Sequence, residues 1–491
     1  MQITVCNLGP LRRAEIVMKP LTVFVGKNNT GKTWLAYTIA GSLGHYSWSR
    51  YLSAYLSGQT RQKYPPLDQL VRRVAEQSSG FLDLLDFAEE HAEHFLNDLL
   101  LGVREWLPLF LGSDHARFEE LALSIDIAAF KPELLRRLLL ASVSDYIGGD
   151  KEEAPLKALK ESGEARLYFY PGQNVSERLP RREIAGFVDG IVFREILQAF
   201  WRNISYFPTE RSSIIYERFI SLPPSVRNKR GHRRTTDTRD LLERLLTALS
   251  EQSPRLVPVP IADFVEIVWR FHRQSSLSSS QAQNQAAASR SPYVELGALL
   301  QEEILEGTLD FTPAEAGTAR EILFCPRPMA ASPEPTPRTE LELSVSSSMV
   351  KELSSLALYL RYLARPGELL VIDEPEMNLH PEAQVKMIEL LAMLVNAGLQ
   401  IMITTHSTYM IDHLINLLAA ARHPQERHDE LASLFFLQRK EAFLAQNQVA
   451  VYHIRDDGEA VNILDEEGII HWRTFSEVTR LVERIHFELA D

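Results

Sequence analysis

The stretch VFVGKNNTGKTWLAYTIA, residues 23 to 40, passes from an apolar run through a turn into a helical pattern. Within it Gly26, Lys27, Asn28, Asn29, Thr30, Gly31, Lys32 and Thr33 fit G-x-x-x-x-G-K-[ST], the spacing of a loop that cradles phosphates. The chemistry requires these residue types at these positions. Glycines let successive N–H groups curl around an anion, and the helix N-terminus adds positive potential. Lys32 reaches the outer phosphates of ATP, and Thr33 offers its hydroxyl to Mg²⁺. A strand before the loop and a helix after it distinguish this motif from a chance glycine-rich turn.

Upstream, QITVC and AEIVM alternate apolar and polar residues around an NLGP turn, and LTVFV is apolar throughout. Three short strands are expected, the third covered on both faces. Downstream, from about residue 80 to 275, leucines and phenylalanines recur three and four apart, as in LDLLDFAEEHAEHFLNDLLLGVREWLPLFL, which predicts a mainly helical region. Two strands interrupt it, ARLYFY at 165 to 170 and NISYFP at 203 to 208. RQSSLSSSQAQNQAAASRS, 273 to 291, has too few large apolar residues to order itself and is expected to be a linker. The proline-rich loop at 325 to 340 is expected to join strands EILF and LELSV. The expected organisation is an N-terminal lobe at 1–80, a helical insertion at 81–290 and a C-terminal lobe at 291–491.

The second half of the site is LLVIDEPEMNLHP, 369 to 381. An apolar strand ending in Asp373 delivers a carboxylate to Mg²⁺, and Glu374 can orient or deprotonate a water for attack on the γ-phosphate. The next strand, LQIMITTH, brings His406 to its C-terminal tip, the edge at which parallel sheets bind ligands, within reach of that phosphate and water. Between the two strands Pro381 opens a helix and Gly398 closes it. Before them MVKELSSLALYLRYLA sets Val350, Leu353, Leu356, Leu360 and Leu363 on one helical stripe.

Composition narrows the classes. The 491 residues are too many for one hydrophobic core, and no run of about eighteen apolar residues is present to span a bilayer. The N-terminus has no secretory pattern, and Cys6 and Cys325 are too few for a disulfide framework, so a cytoplasmic location is expected. A net charge of −13 argues against a nonspecific basic coat for nucleic acid. One local exception is VRNKRGHRR, 226 to 234, where Arg227, Lys229, Arg230, Arg233 and Arg234 are either a solvated run or a contact to a DNA backbone or partner.

Together, the phosphate loop, Asp373-Glu374-Pro375, EMNLHP and TTHS resemble the ATP-binding-cassette ATPases over residues 1 to 45 and 340 to 415. The hairpin before the loop and the wide separation of the halves resemble the branch holding structural-maintenance-of-chromosomes, RecF-like and overcoming-lysogenization-defect-like proteins. The resemblance implies an α/β fold, an ABC-type P-loop head of mixed sheet and flanking helices, split by a large mainly helical insertion. It also implies ATP and Mg²⁺, with Lys32, Glu374 and His406 catalytic and Thr33 and Asp373 on the metal.

In that family two heads sandwich two ATP molecules, and a signature serine of one head caps the γ-phosphate held by the other, so a homo-oligomer is implied. LSVSSSMVKEL, 343 to 353, stands where that motif belongs but lacks Leu-Ser-Gly-Gly-Gln. Ser346, Ser347 and Ser348 are signature candidates or plain helix caps, and the sequence singles out none of them. Asn378 and His380 match the dimer-interface loop. No Q-loop glutamine stands out, although Gln59 and Gln62 are available. YFPTERSSI, 206 to 214, is similar to text in stand-alone bacterial ATPases of this branch. It reads either as a solvated loop or as giving Arg211 a structural, interface or partner-contact role.

The tail holds Asp456, Asp457, Glu459, Asp465 and Glu466 in what reads as hairpin turns, where turn chemistry explains them better than a nuclease centre. The chain stops about eighty-five residues after His406, so no appended nuclease domain is expected. The resemblance extends to the ATPase subunits of bacterial antiphage systems such as Septu and PARIS. It implies a switch that controls a separately encoded nuclease or toxin. The alternative is a RecF-like or SMC-like ATPase that clamps DNA in repair or chromosome maintenance, and a transporter subunit is disfavoured.

Overall fold

A computed structural model describes residues 1–76, 79–148, 152–172, 175–215, 257–278, 291–312, 321–327, 339–465, 467–470 and 484–485. The chain forms two compact units. One comprises Met1–Val17, Tyr37–Ile204 and Leu222–Ala262, the other Met18–Ala36, Ser205–Ser221 and Asp263–Asp491. The divisions expected at residues 80 and 291 differ from these. Two strands upstream of the phosphate loop cluster with the first unit, whereas the loop itself belongs with the C-terminal half of the chain.

The second unit is built on a sheet in which Glu459–Asn462, Val449–Ile454, Leu21–Gly26, Gln400–Thr405, Leu369–Asp373 and Ile204–Phe207 lie in that order. Leu21–Gly26 pairs in parallel with both Val449–Ile454 and Gln400–Thr405, and Leu369–Asp373 pairs in parallel with Gln400–Thr405. Every residue of Leu21–Gly26 and Leu369–Asp373 is buried, as central strands covered by helices require. Helices Ser348–Tyr362, Pro381–Asn396 and Thr408–Ala421 supply Leu353, Leu356, Leu360, Met387, Leu391, Leu414 and Leu418 to one core with these strands. The architecture is therefore α/β, a mixed sheet with flanking helices, as expected. A smaller antiparallel sheet joins Gly307–Phe311, Ile322–Pro326 and Leu341–Glu342. LELSV contributes only two residues to it before a tight turn over Leu343–Val345.

The first unit carries more strands among its helices than its periodicity predicts. Arg166–Pro171 is a strand, as expected, but it belongs to a four-stranded antiparallel sheet with Gly80–Asp83, Leu156–Lys160 and Val143–Ile147. These three strands are only four or five residues long, too short for a clear alternation to register. Gln2–Leu8 and Leu11–Val17 form the expected hairpin, with Ala122–Asp126 as a further antiparallel partner. The helical stretch at 82 to 111 breaks at Gly102 into Leu84–Leu101 and Val103–Phe110, and Asp83 caps the first by accepting from the amides of Leu85 and Asp86. The core here is aromatic. Phe95 stacks on Phe193 at 4.7 Å, and Tyr51, Tyr55 and Tyr64 set their rings edge-on to Phe193.

The helix Val259–Ser278 takes in the first residues of the expected linker, and residues 279–290 lie outside the described part, as does the run at 226–234. Among the described residues no helix is long and apolar enough to cross a membrane.

Asp189 is buried in the first unit with one carboxylate oxygen lacking a hydrogen-bond partner among the described residues. Burial, with a smaller contribution from Asp68, pushes its pKa up to about 8. An acid whose pKa is raised by folding stabilises most at low pH, and that stability is lost as pH rises from the ordinary carboxylate range towards about 8. Asp189→Asn mimics the protonated form. Its melting temperature is expected to match wild type near pH 4 and to exceed it increasingly up to about pH 8, as followed by differential scanning fluorimetry.

Candidate functional site

Parallel register brings the site together. Asp373 lies opposite Thr404, Thr405 opposite Val25, and Gly26 opposite Ile454, so the phosphate loop, Glu374 and His406 all emerge at the carboxyl edge of one sheet. Gly26 has φ 153°, and a Cβ there would lie 2.7 Å from the Ile454 carbonyl oxygen, so only glycine lets the loop leave the sheet at this point. Gly31, at φ 93°, turns the chain into the helix Lys32–Ser42. Lys27, Asn28 and Asn29 are exposed on the loop, and the Thr30 hydroxyl donates to the Lys27 carbonyl at 2.9 Å. Lys27 pairs with Asp456 at 2.5 Å, but both side chains are more than half exposed, so the pair adds little stability.

Lys32 is buried beneath the loop and donates to the carbonyls of Gly26 at 3.1 Å and Lys27 at 2.7 Å. Burial lowers its pKa, opposed by the carboxylates of Glu374, Asp373 and Glu376. Thr33 Oγ1 donates to both Asp373 oxygens, at 2.9 and 3.1 Å, and Thr404 Oγ1 donates to Oδ1. Burial nevertheless holds the Asp373 carboxyl above its usual range. A hydroxyl beside one carboxylate is the hard-oxygen set with which Mg²⁺ is held when phosphates and waters complete its shell. No group of three His, Cys, Asp or Glu suited to a metal occurs among the described residues.

Glu374 follows at φ 48°, a left-handed conformation that costs a non-glycine residue about 1–2 kcal/mol. Its amide donates to the Thr404 carbonyl at 3.1 Å, and its Oε1 lies 3.2 Å from His406 Nε2. The contact with His406 is the main cause of a lowered Glu374 pKa, so the carboxyl stays ionised. The two proposed catalytic side chains therefore touch.

Two carboxylates escaped the sequence reading. Glu376 Oε1 accepts from Thr405 Oγ1 at 2.7 Å and from the amides of His406 at 2.6 Å and Ser407 at 3.2 Å, fixing the turn that carries His406. Glu352, fully buried on the helix Ser348–Tyr362, is ion-paired with Arg211. The only signal for Glu352 was a charge set within an apolar helical face. Glu376, two residues after Glu374, gave the weaker signal of a third acid in DEPE.

Arg211 is 2% exposed, so neither a solvated loop nor a contact to DNA or a partner describes it. Its Nη1 donates to the carbonyls of Pro208 at 2.8 Å and Asp373 at 2.6 Å, and its Nη2 donates to that of Glu374 at 2.8 Å. Among the three serines, Ser346 is buried with its hydroxyl donating to the Glu342 carbonyl, which withdraws it from any ligand. Ser347 is the helix cap, accepting from the Val350 amide at 3.3 Å, and it and Ser348 are exposed. Asn378, at φ 60°, and His380 are also exposed. The acidic tail follows turn chemistry as expected. Asp457 accepts from the Glu459 amide, and Asp465 accepts from those of Glu467 and Ile469.

Residues 274–411 match the family model described as AAA ATPase domain, a span that holds Asp373, Glu374 and His406 but not the phosphate loop. No curated protein matches the chain. Among solved structures, the chain is 12% identical to an SMC head bound to the C-winged helix domain of ScpA, over 95% of this chain and 99% of that one, with TM-score 0.35. It is 13% identical to an SMC head domain with an extended coiled coil bound to the C-terminal domain of ScpA derived from Pyrococcus furiosus, over 99% and 98%, with TM-score 0.33. For the SMC head domain from Thermotoga maritima the values are 11%, 84%, 90% and 0.27. Likenesses at these scores carry no functional inference.

Removing Glu376 takes the acceptor from the His406 amide and the Thr405 hydroxyl, at about 1–3 kcal/mol each, whereas glutamine keeps an acceptor oxygen. Glu376→Ala is expected to lower the melting temperature clearly more than Glu376→Gln. Equal losses would show that Oε1 does not hold the His406 turn.

Proposed function

We propose that this chain is a Mg²⁺-dependent ATPase. The observation that carries the proposal is the hydrogen bond between Thr33 and Asp373, 340 residues apart, which sets the phosphate loop beside Glu374 and His406. Bound Mg²⁺, held by Thr33 and Asp373, supplies charge neutralisation for the β- and γ-phosphates. Lys32 exchanges the loop carbonyls for phosphate oxygens. Glu374 takes a proton from a water as its oxygen forms a bond to the γ-phosphorus and the bond from that phosphorus to the β,γ-bridging oxygen breaks, leaving ADP and phosphate. His406, hydrogen-bonded to Glu374, orients the base and contacts the γ-phosphate.

The finer reading is a homo-oligomer in which the exposed Ser347 and Ser348, at a helix N-terminus, cap a nucleotide held by a second copy, with Asn378 and His380 beside them. Such closure is a switch. We assign it to control of a separately encoded effector, such as a nuclease or toxin in antiphage defence, rather than to clamping DNA. A net charge of −13 argues against a general basic coat for a duplex, and the run at 226–234 is the local exception on which the alternative, clamping DNA, would rest.

Two variants test the ATPase itself. Lys32→Ala is expected to abolish binding of a fluorescent ATP analogue. Glu374→Gln is expected to keep binding, accumulate an ATP-bound oligomer by light scattering, and lower phosphate release about 10²–10⁴-fold. Unchanged hydrolysis in Glu374→Gln would falsify the assignment of the base.

A further inference from the structure

A general base works only within hydrogen-bond reach of its water, and Glu374 reaches that place through a backbone conformation its side chain does not favour. Such a conformation persists only when its surroundings over-determine it. The amide of Glu374 is held by the Thr404 carbonyl. The carbonyls of Asp373 and Glu374 are both held by Arg211, one by Nη1 at 2.6 Å and the other by Nη2 at 2.8 Å. The guanidinium thus spans the two peptide units that flank the base.

We propose that Arg211 is a positioning residue for hydrolysis, and that its ion pair with Glu352 makes the helix led by Ser347 and Ser348 and the Glu374 backbone move as one piece. The inference rests on the ATPase reading above. The chemistry favours arginine for this task. Only a planar fork of fixed N–H donors can serve two adjacent carbonyls, a carboxylate and the Pro208 carbonyl at once, and arginine stays charged when buried. Three segments meet on the guanidinium: the end of the Ile204–Phe207 strand, the end of the Leu369–Asp373 strand, and the helix Ser348–Tyr362. Glu352 lies one turn into that helix, five residues after its capping serine. A shift of the helix when its N-terminus takes up a phosphate is passed through Glu352 and Arg211 to the peptide carrying the base. A pair that merely filled the core would have no need to bond these two carbonyls.

Three variants test this. Arg211→Lys keeps the charge facing Glu352 but cannot span both carbonyls. Arg211→Met with Glu352→Leu removes both buried charges together, which leaves no stranded ion and preserves stability. Glu352→Gln keeps the fork but weakens its link to the helix. In steady-state phosphate release, Arg211→Lys and the double variant are expected to lose at least tenfold in kcat, with binding of the fluorescent ATP analogue within about threefold of wild type. Glu352→Gln should fall between them and wild type. Folded Arg211→Lys and double variants with kcat within twofold of wild type would overturn the proposal. So would loss of a cooperative melt in both, since Arg211 would then serve folding alone. An inactive wild type, or a fully active Glu374→Gln, overturns the ATPase reading instead.

Discussion

The site depends on one hydrogen bond, from the Thr33 hydroxyl to the Asp373 carboxylate. It joins the first turn of one helix to the end of a strand that arrives 340 residues later. A hydroxyl and a carboxylate cannot select each other over that distance unaided, and the sheet makes the choice for them. Once Leu21–Gly26 and Leu369–Asp373 flank Gln400–Thr405 in parallel, a slip of one residue would turn Asp373 to the opposite face. The apolar interiors of these strands therefore fix the polar chemistry at their ends.

That chemistry is unusually buried. Asp373, Lys32, Arg211 and Glu352 all lie within the protein, and each charge has a partner or a carbonyl to face. Buried ions are a poor source of stability, since desolvation offsets most of their attraction. Their value here is geometric. An arginine that cannot lose its charge and cannot leave its carboxylate holds the backbone in one place.

Much of this was legible in the order of residues. The phosphate loop, the strand ending in Asp373-Glu374 and the strand ending before His406 announce themselves because each couples a strong apolar run to a sharp change of chemistry. The small strands of the first unit did not, since four or five residues barely sample the twofold period, and neighbouring helices dominate the pattern. Arg211 stands out in the sequence, but a solvated loop and a structural or interface role both stay open there. Burial of a charge depends on a partner far away in sequence, and Glu352 lies in another segment of the chain. The serines show the same limit. Their position before a helix was plain, but only the fold shows that Ser346 is turned into its own chain while its two neighbours stay exposed.

The two carbonyl contacts of Lys32 have a consequence for selectivity. The ammonium is already satisfied by neutral oxygens of its own loop, so an incoming anion gains only the difference between those bonds and the ones it offers. A phosphate oxygen adds the attraction of opposite charge to what a neutral carbonyl offers the ammonium, and a triphosphate presents several such oxygens at once. A small singly charged anion does not recover what it displaces. On the ATPase reading proposed above, the loop acts as a threshold filter, opened by a ligand with enough charge in a row to break the lysine's internal bonds.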